Sequence, residues 1–302
     1  MAPAKYDYNC RETERSDLAM RIGAVNYLNS KPLVYGFEQS APGMRLFYDL
    51  PSRLADSLAA GRLDVALVPS IEWLRRPGHV IVSDACVACR GPVLSVKLHF
   101  RVPPTEVQTL ALDEGSRTSA ALAQILLDEL AGVRPECKPL PIGCGLESTS
   151  ADAVLLIGDR AIQSREQGAG SRETPCSPLP APCSDVWDLG EKWLDWTGLP
   201  FVFATWVARP DVNITELETQ LAAARDRGVA HLSEIAAAEA PLLGIDTELA
   251  FHYLRDNLHF TLGEQEFAGL ERFARLCAQR EFVPKDSVRA LTQMSIYGCT
   301  KQ

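Results

Sequence analysis

Short apolar runs, each closed by a turn signal and followed by apolar residues at helical spacing, recur from the start of the structured chain. Residues 21–25 read as a strand that runs into 26–33. There Pro32 suits the first turn of a helix, because its missing N–H costs nothing, and Asn29 and Ser30 fall at the junction. Met44–Asp49 reads as a second strand. Pro51 then opens an amphipathic helix with Leu54, Leu58 and Ala59 on one face, and Gly61 ends it. Residues 63–68 form a buried type of strand, closed by Pro69, Ser70 and a short helix containing Glu72 and Trp73. Strand, helix, strand is the unit of a parallel sheet.

Further along, 93–100 alternates partly and is long for a strand, which suits a crossing between two lobes with Ser95 facing a cleft. Residues 109–112 and Ala153–Ile157 read as strands of a second sheet, and 201–209 reads as the return crossing. The expected architecture is therefore α/β and two-lobed. Lobe 1 is discontinuous (21–94 plus 206–302), lobe 2 (95–205) is inserted, and 1–20 is an extension. Residues 164–185, rich in Gly, Pro, Ser and Cys, read as a surface loop. Helical periods follow at 187–196, 215–238, 247–258, 263–280 and 286–296.

Composition narrows the functions. The chain has 302 residues, 46% apolar and 23% charged, as in an ordinary globular protein. Its formal charge of −9, with no Lys/Arg-rich stretch, argues against nucleic acid or an anionic membrane as partner. No apolar run is long enough to span a bilayer, and 1–20 lacks the apolar segment of a secretory signal, so the cytoplasm is the expected location. Nine cysteines without framework spacing do not make a disulfide scaffold. The pair Cys86 and Cys89 has the C-x-x-C spacing of half a zinc site, but no second pair or nearby His completes it. No metal, Walker or dinucleotide fingerprint is present, and no cofactor is expected.

The chemistry concentrates in Gly115-Ser116-Arg117-Thr118-Ser119, a tight turn between a strand and the helical run 120–130. Ser116 is a natural N-cap. The free N–H groups of the first helical turn, the Thr118 and Ser119 hydroxyls and the Arg117 guanidinium would converge on one volume suited to a carboxylate. The bland alternative is a well-capped helix start, with Arg117 turned away into an ion pair. Two other strands end comparably: 21–25 runs into Asn29, and Ala153–Ile157 runs into Gly158, where a backbone can approach closely, and Asp159, a helix cap or a cleft residue.

Taken together, the motifs at 25–33 (VNYLNSKPL), 64–72 (DVALVPSIE), 91–95 (GPVLS), 116–119 (SRTS), 156–159 (LIGD) and 196–203 (WTGLPFVF) resemble the chorismate dehydratases of the futalosine route to menaquinone. The loop at 164–185 and the extension at 1–20 depart from that family's pattern. The resemblance implies a two-lobed fold similar to type II periplasmic solute-binding proteins. It also implies loss of water from chorismate to give 3-[(1-carboxyvinyl)oxy]benzoate, without metal or organic cofactor. Asn29 would be catalytic, and Ser95, Ser116, Arg117, Thr118, Ser119, Gly158 and Asp159 would bind substrate. The expected partner is the small molecule, with a homodimer left open. Two rival readings stand beside this one: a non-catalytic solute-binding protein for a small carboxylate, and a dihydroxynaphthoate synthase of the same route. The second calls for a reactive base, and none of the five His residues sits in a motif.

Overall fold

The apolar runs form two mixed sheets, seen in a computed structural model that describes residues 19–162 and 185–288. The extension through residue 18, the loop through residue 184 and the final helical period beyond residue 288 lie outside the described residues. The strands are β1 Met20–Val25, β2 Met44–Asp49, β3 Val65–Pro69, β4 Val80–Cys89, β5 Val96–Phe100, β6 Thr109–Asp113, β7 Glu136–Leu140, β8 Ala153–Ile157, β9 Asp185–Asp188, β10 Phe201–Ala208 and β11 His259–Thr261. The first sheet has the order β11-β4-β10-β3-β1-β2 and the second β7-β6-β8-β5-β9. β2, β1 and β3 are mutually parallel, as are β7, β6 and β8, whereas β10 and β5 enter their sheets antiparallel. This is the α/β two-lobed arrangement expected from the alternation.

The chain passes from the first sheet to the second through 90–95, and the expected single strand 93–100 begins only at Val96. Leu94 breaks it. Its φ of 58° lies in the left-handed region, which is costly for a residue with a Cβ, and Ser95 N–H donates to the Val93 carbonyl across a three-residue turn (2.7 Å). The turn is held from outside by Asp188, whose carboxylate accepts from Val93 N–H (2.9 Å) and Leu94 N–H (2.7 Å). The same carboxylate caps the helix Leu189–Thr197 through Gly190 and Glu191 N–H, so one side chain ties the outward passage to the return. Burial raises the Asp188 pKa while these four donors oppose the shift.

Four strands carried no clear signal in the sequence. β4 spans Val80–Cys89, of which only the cysteine-bearing end stood out; β7 is mostly exposed and contains a proline; β9 and β11 are short. Cys86 and Cys89 are free, fully buried thiols inside β4, and burial pushes the Cys89 thiol up to about 12. They pack as small apolar side chains. The expected helix 215–238 is broken at His231 into Leu217–Ala230 and Leu232–Leu243, and Glu264–Gln279 crosses the first lobe. Gly228 lets the first of these helices approach closely, since a Cβ there would lie 2.0 Å from the Pro32 carbonyl oxygen. That contact seats the segment bearing Asn29.

Candidate active site

The carboxyl ends of β1, β2, β3, β6 and β8 converge on one cleft between the lobes, where open α/β sheets place their ligands. The cleft draws its lining from both sheets and from the passage between them. Asn29 and Ser30 enter it from the short helical turn Leu28–Ser30 after β1, Ser95 from the passage, and Ser116 and Ser119 from the turn after β6. Gly158 follows β8, and Val25, Val87, Val93, Val96, Ile157 and Phe203 supply apolar wall. Among the described residues that line it, none is Asp, Glu, Lys, Arg or His. The polar groups are hydroxyls, an amide and backbone.

Ser116 caps the helix Arg117–Leu126 as expected: its Oγ accepts from Ser119 N–H at 3.3 Å and donates to Ser119 Oγ at 2.9 Å. The proton left over is that of Ser119, and the first-turn N–H groups of Arg117 and Thr118 have no intrahelical acceptor. This corner is a set of donors at a helix N-terminus. The side chains of Arg117 and Thr118 turn the other way. Arg117 donates from Nη2 to both carboxylate oxygens of Asp56 (2.9 Å to each) and its Nη1 reaches Glu72 (3.2 Å), both on the first lobe. Thr118, fully buried, accepts from Ile71 N–H at 3.2 Å at the start of the helix Ser70–Arg75. Asp159 also crosses between lobes, its Oδ1 accepting from Leu28 N–H at 3.2 Å. Burial raises its pKa to about 6, against the pull of Leu28 N–H and Lys31.

Gly158 is needed where it stands. Its φ is +65°, and a Cβ would lie 3.1 Å from the Tyr27 ring, which packs over it. Burial and the nearby Asp113 carboxylate raise the Tyr27 pKa, so its phenol keeps its proton. Asp113 is itself buried, paired with Arg160 and capped by Gly115 N–H at 2.9 Å. Asn29 Oδ1 accepts from Ser30 Oγ at 3.0 Å. Outside the set of cleft-lining residues stands Tyr253, 1% exposed; burial raises its pKa, and the nearby Ser95 and Asn29 side chains oppose the shift.

Comparison with known proteins follows this geometry closely. A family model described as menaquinone biosynthesis matches residues 20–279. This chain belongs to that family. A chorismate dehydratase of Thermus thermophilus is 36% identical over 261 residues, covering 84% of this chain and 93% of the relative. A chorismate dehydratase of Campylobacter jejuni is 25% identical over 265 residues, 85% of this chain and 97% of the relative. Among solved structures, the periplasmic aliphatic sulphonate binding protein SsuA of Escherichia coli aligns with a TM-score of 0.60 at 16% identity, covering 91% of each chain. That likeness gives the binding-protein-like fold alone, the fold that the family resemblance implied.

Within this menaquinone-biosynthesis fold, the cleft brings together Asn29, Ser95, Ser116, Ser119 and Gly158 from the sequence-based set. Arg117, Thr118 and Asp159 stand at the junction of the lobes, joined to the opposite lobe. Tyr253 and Tyr27 were missed. Tyr27 lies inside the motif at 25–33 and was legible there as an aromatic beside Asn29. Tyr253 had no local signal, because an aromatic in the helical period 247–258 reads as core.

Proposed function

We propose that this chain is a chorismate dehydratase of menaquinone biosynthesis, converting chorismate to 3-[(1-carboxyvinyl)oxy]benzoate and water. The observation that carries the mechanism is a cleft built of donors and apolar wall, with no Asp, Glu, Lys, Arg or His among the described residues that line it. Such a site suits a dianion whose own structure drives the reaction. The hydrogen on the ring carbon bearing the enolpyruvyl ether is acidified through the conjugated ring carboxylate. Its loss spreads negative charge into that carboxylate. Departure of the adjacent hydroxyl as hydroxide, which takes up a proton, then completes the aromatic ring and releases water.

Each residue has a place in this scheme. The Ser119 hydroxyl and the helix N-terminus hold one carboxylate, with Ser116 fixing their orientation. Ser95 bonds the second carboxylate, and Gly158 lets backbone come close to the ligand. Asn29 orients the ring hydroxyl and the proton in transfer. Asparagine is not basic enough to take the proton itself, so the acceptor is a substrate carboxylate or a water held by Asn29. Tyr27, held protonated, covers one side. Arg117, Thr118 and Asp159 serve the site by keeping the lobes together, which excludes water while charge develops. The family's biosynthetic role supports the cytoplasmic location expected from the sequence.

The deciding experiment is incubation of chelator-treated protein with chorismate, followed by ultraviolet absorbance and product mass. Loss of one water with appearance of a substituted benzoate is the expected result. Unchanged chorismate that nevertheless raises the melting temperature would replace the dehydratase with a binding protein.

A further inference from the structure

We infer that Asp188 is a positioning residue for the dehydration: its carboxylate holds Leu94 in left-handed backbone and so aims Ser95 into the cleft. The inference rests on the dehydratase reading, in which Ser95 bonds a substrate carboxylate. Asp188 is the last residue of β9 and pairs with Lys97 of β5, two positions beyond Ser95. The helix that follows is pressed onto the passage, since a Cβ at Gly190 would lie 2.5 Å from the Gly91 carbonyl oxygen and 2.6 Å from Cys89 Sγ. The carboxylate thereby reaches the turn with its two oxygens divided. Oδ1 accepts from Val93 N–H (2.9 Å), Gly190 N–H (3.0 Å) and Glu191 N–H (3.2 Å), whereas Oδ2 accepts from Leu94 N–H (2.7 Å). One oxygen caps the helix, and the other is committed to Leu94.

That commitment matters because a leucine does not hold a φ of 58° by itself; its Cβ crowds the backbone there. Without the bond to Oδ2, the backbone at 94 would return to negative φ. The Ser95 N–H would then leave the Val93 carbonyl, now 2.7 Å away, and the Ser95 side chain would swing with its peptide. On its far side Ser95 is already fixed, because its carbonyl accepts from Gly158 N–H at 2.8 Å. The buried Ser95 side chain is thus aimed by two anchors, Gly158 after it and the turn held by Asp188 before it. Asn257 donates from Nδ2 to the Pro92 carbonyl at 2.8 Å, which fixes where the turn begins and leaves φ at 94 to Asp188. The strain at Leu94 is therefore sustained from outside the turn, as strained backbone beside a functional group requires.

The test is steady-state turnover of chorismate by variants that separate this role from helix capping. In Asp188→Asn the amide oxygen, in place of Oδ1, keeps the cap and the bond to Val93, while the NH2 meets Leu94 N–H donor against donor. The expected result is a fall in kcat/KM of about 10- to 100-fold, with helix content by circular dichroism unchanged. Adding Leu94→Gly, which takes positive φ freely, should bring kcat/KM back to within about fivefold of wild type. Adding Asp188→Asn to Ser95→Ala should cost less than about threefold more, since it acts through the hydroxyl already removed. A further pair leaves Asp188 intact and so decides the matter even where Asp188→Asn fails to fold. Leu94→Val, β-branched and costlier at positive φ, should turn over several-fold more slowly than Leu94→Gly. Any of four results overturns the role of Asp188: turnover of Asp188→Asn within about twofold of wild type, no rescue by Leu94→Gly, losses that multiply with Ser95→Ala, or equal rates for Leu94→Val and Leu94→Gly. Absence of product from the wild type would instead sink the dehydratase reading, and the role of Asp188 with it.

Discussion

The floor of the cleft and the junction of the lobes around it are built from adjacent residues with opposite chemistry. In the turn after β6, Ser116 and Ser119 line the cleft, whereas Arg117 and Thr118, between them, bond across to the first lobe. The same division follows β8, where Gly158 meets the cleft and Asp159 reaches Leu28. Uncharged groups face the cleft, and the charged groups reach across to the other lobe. The separation has a physical reason. A carboxylate on the floor would repel a dianion, and an arginine there would bind substrate and transition state alike. At the junction the same charges meet partners in the other lobe. Glu72, 3% exposed, is met by Arg75 (2.9 Å), Arg76 (3.4 Å) and Arg117 (3.2 Å), which offset the several kcal/mol that burying a lone carboxylate costs.

The contrast predicts that floor substitutions hurt turnover and junction substitutions hurt closure or stability. The largest effect is expected at Asn29→Ala, with kcat down by about 100-fold or more and an unchanged melting transition. Near wild-type turnover in that variant would remove Asn29 from the chemistry. Ser119→Ala should follow, losing about 10- to 100-fold in kcat/KM through the missing donor to a carboxylate, while remaining folded by circular dichroism. Arg117→Ala should raise KM several-fold and lower stability by about 1 kcal/mol in urea titration, since Glu72 keeps two other arginines. A collapse of kcat with KM intact would move Arg117 to the floor.

The smallest effect concerns Asp159 and depends on pH. Its folded pKa of about 6 lies above the ordinary 3.8, so the folded state holds its proton more tightly than the unfolded chain does. Stability from this group is therefore present at low pH and lost as pH rises through about 4 to 6. Asp159→Asn can still accept from Leu28 N–H. It should be more stable than wild type at pH 7.5 by about 1 kcal/mol, with a flatter stability profile between pH 4 and 6. Equal profiles would show that the carboxylate is better solvated than its position implies.

Much of this was legible along the chain because the signals are local. β2 and β8 have the bounds that their apolar runs suggested, and Ser116 caps its helix as its spacing before an apolar run predicted. β7 and β9 were not legible, since exposed edge segments owe their conformation to pairing with β6 and β5. The break of 93–100 at Leu94 was hidden for a similar reason. A leucine in left-handed backbone is disfavoured locally and persists because Asp188, 94 residues away, accepts both neighbouring N–H groups.

The sequence by itself determined the order of strands and helices, the turns at the strand ends and the residue types available there. Periodicity, proline placement and capping act over a few residues. Which of those residues face the cleft was decided only by the tertiary structure. Ser116 and Ser119 differ from Arg117 and Thr118 in orientation, not in sequence neighbourhood, and their partners Asp56, Glu72 and Ile71 come from another lobe. Tyr253 marks the far limit of local reading. It lies 158 positions from Ser95 and 224 from Asn29 in the chain, and only closure of the fold brings it near both.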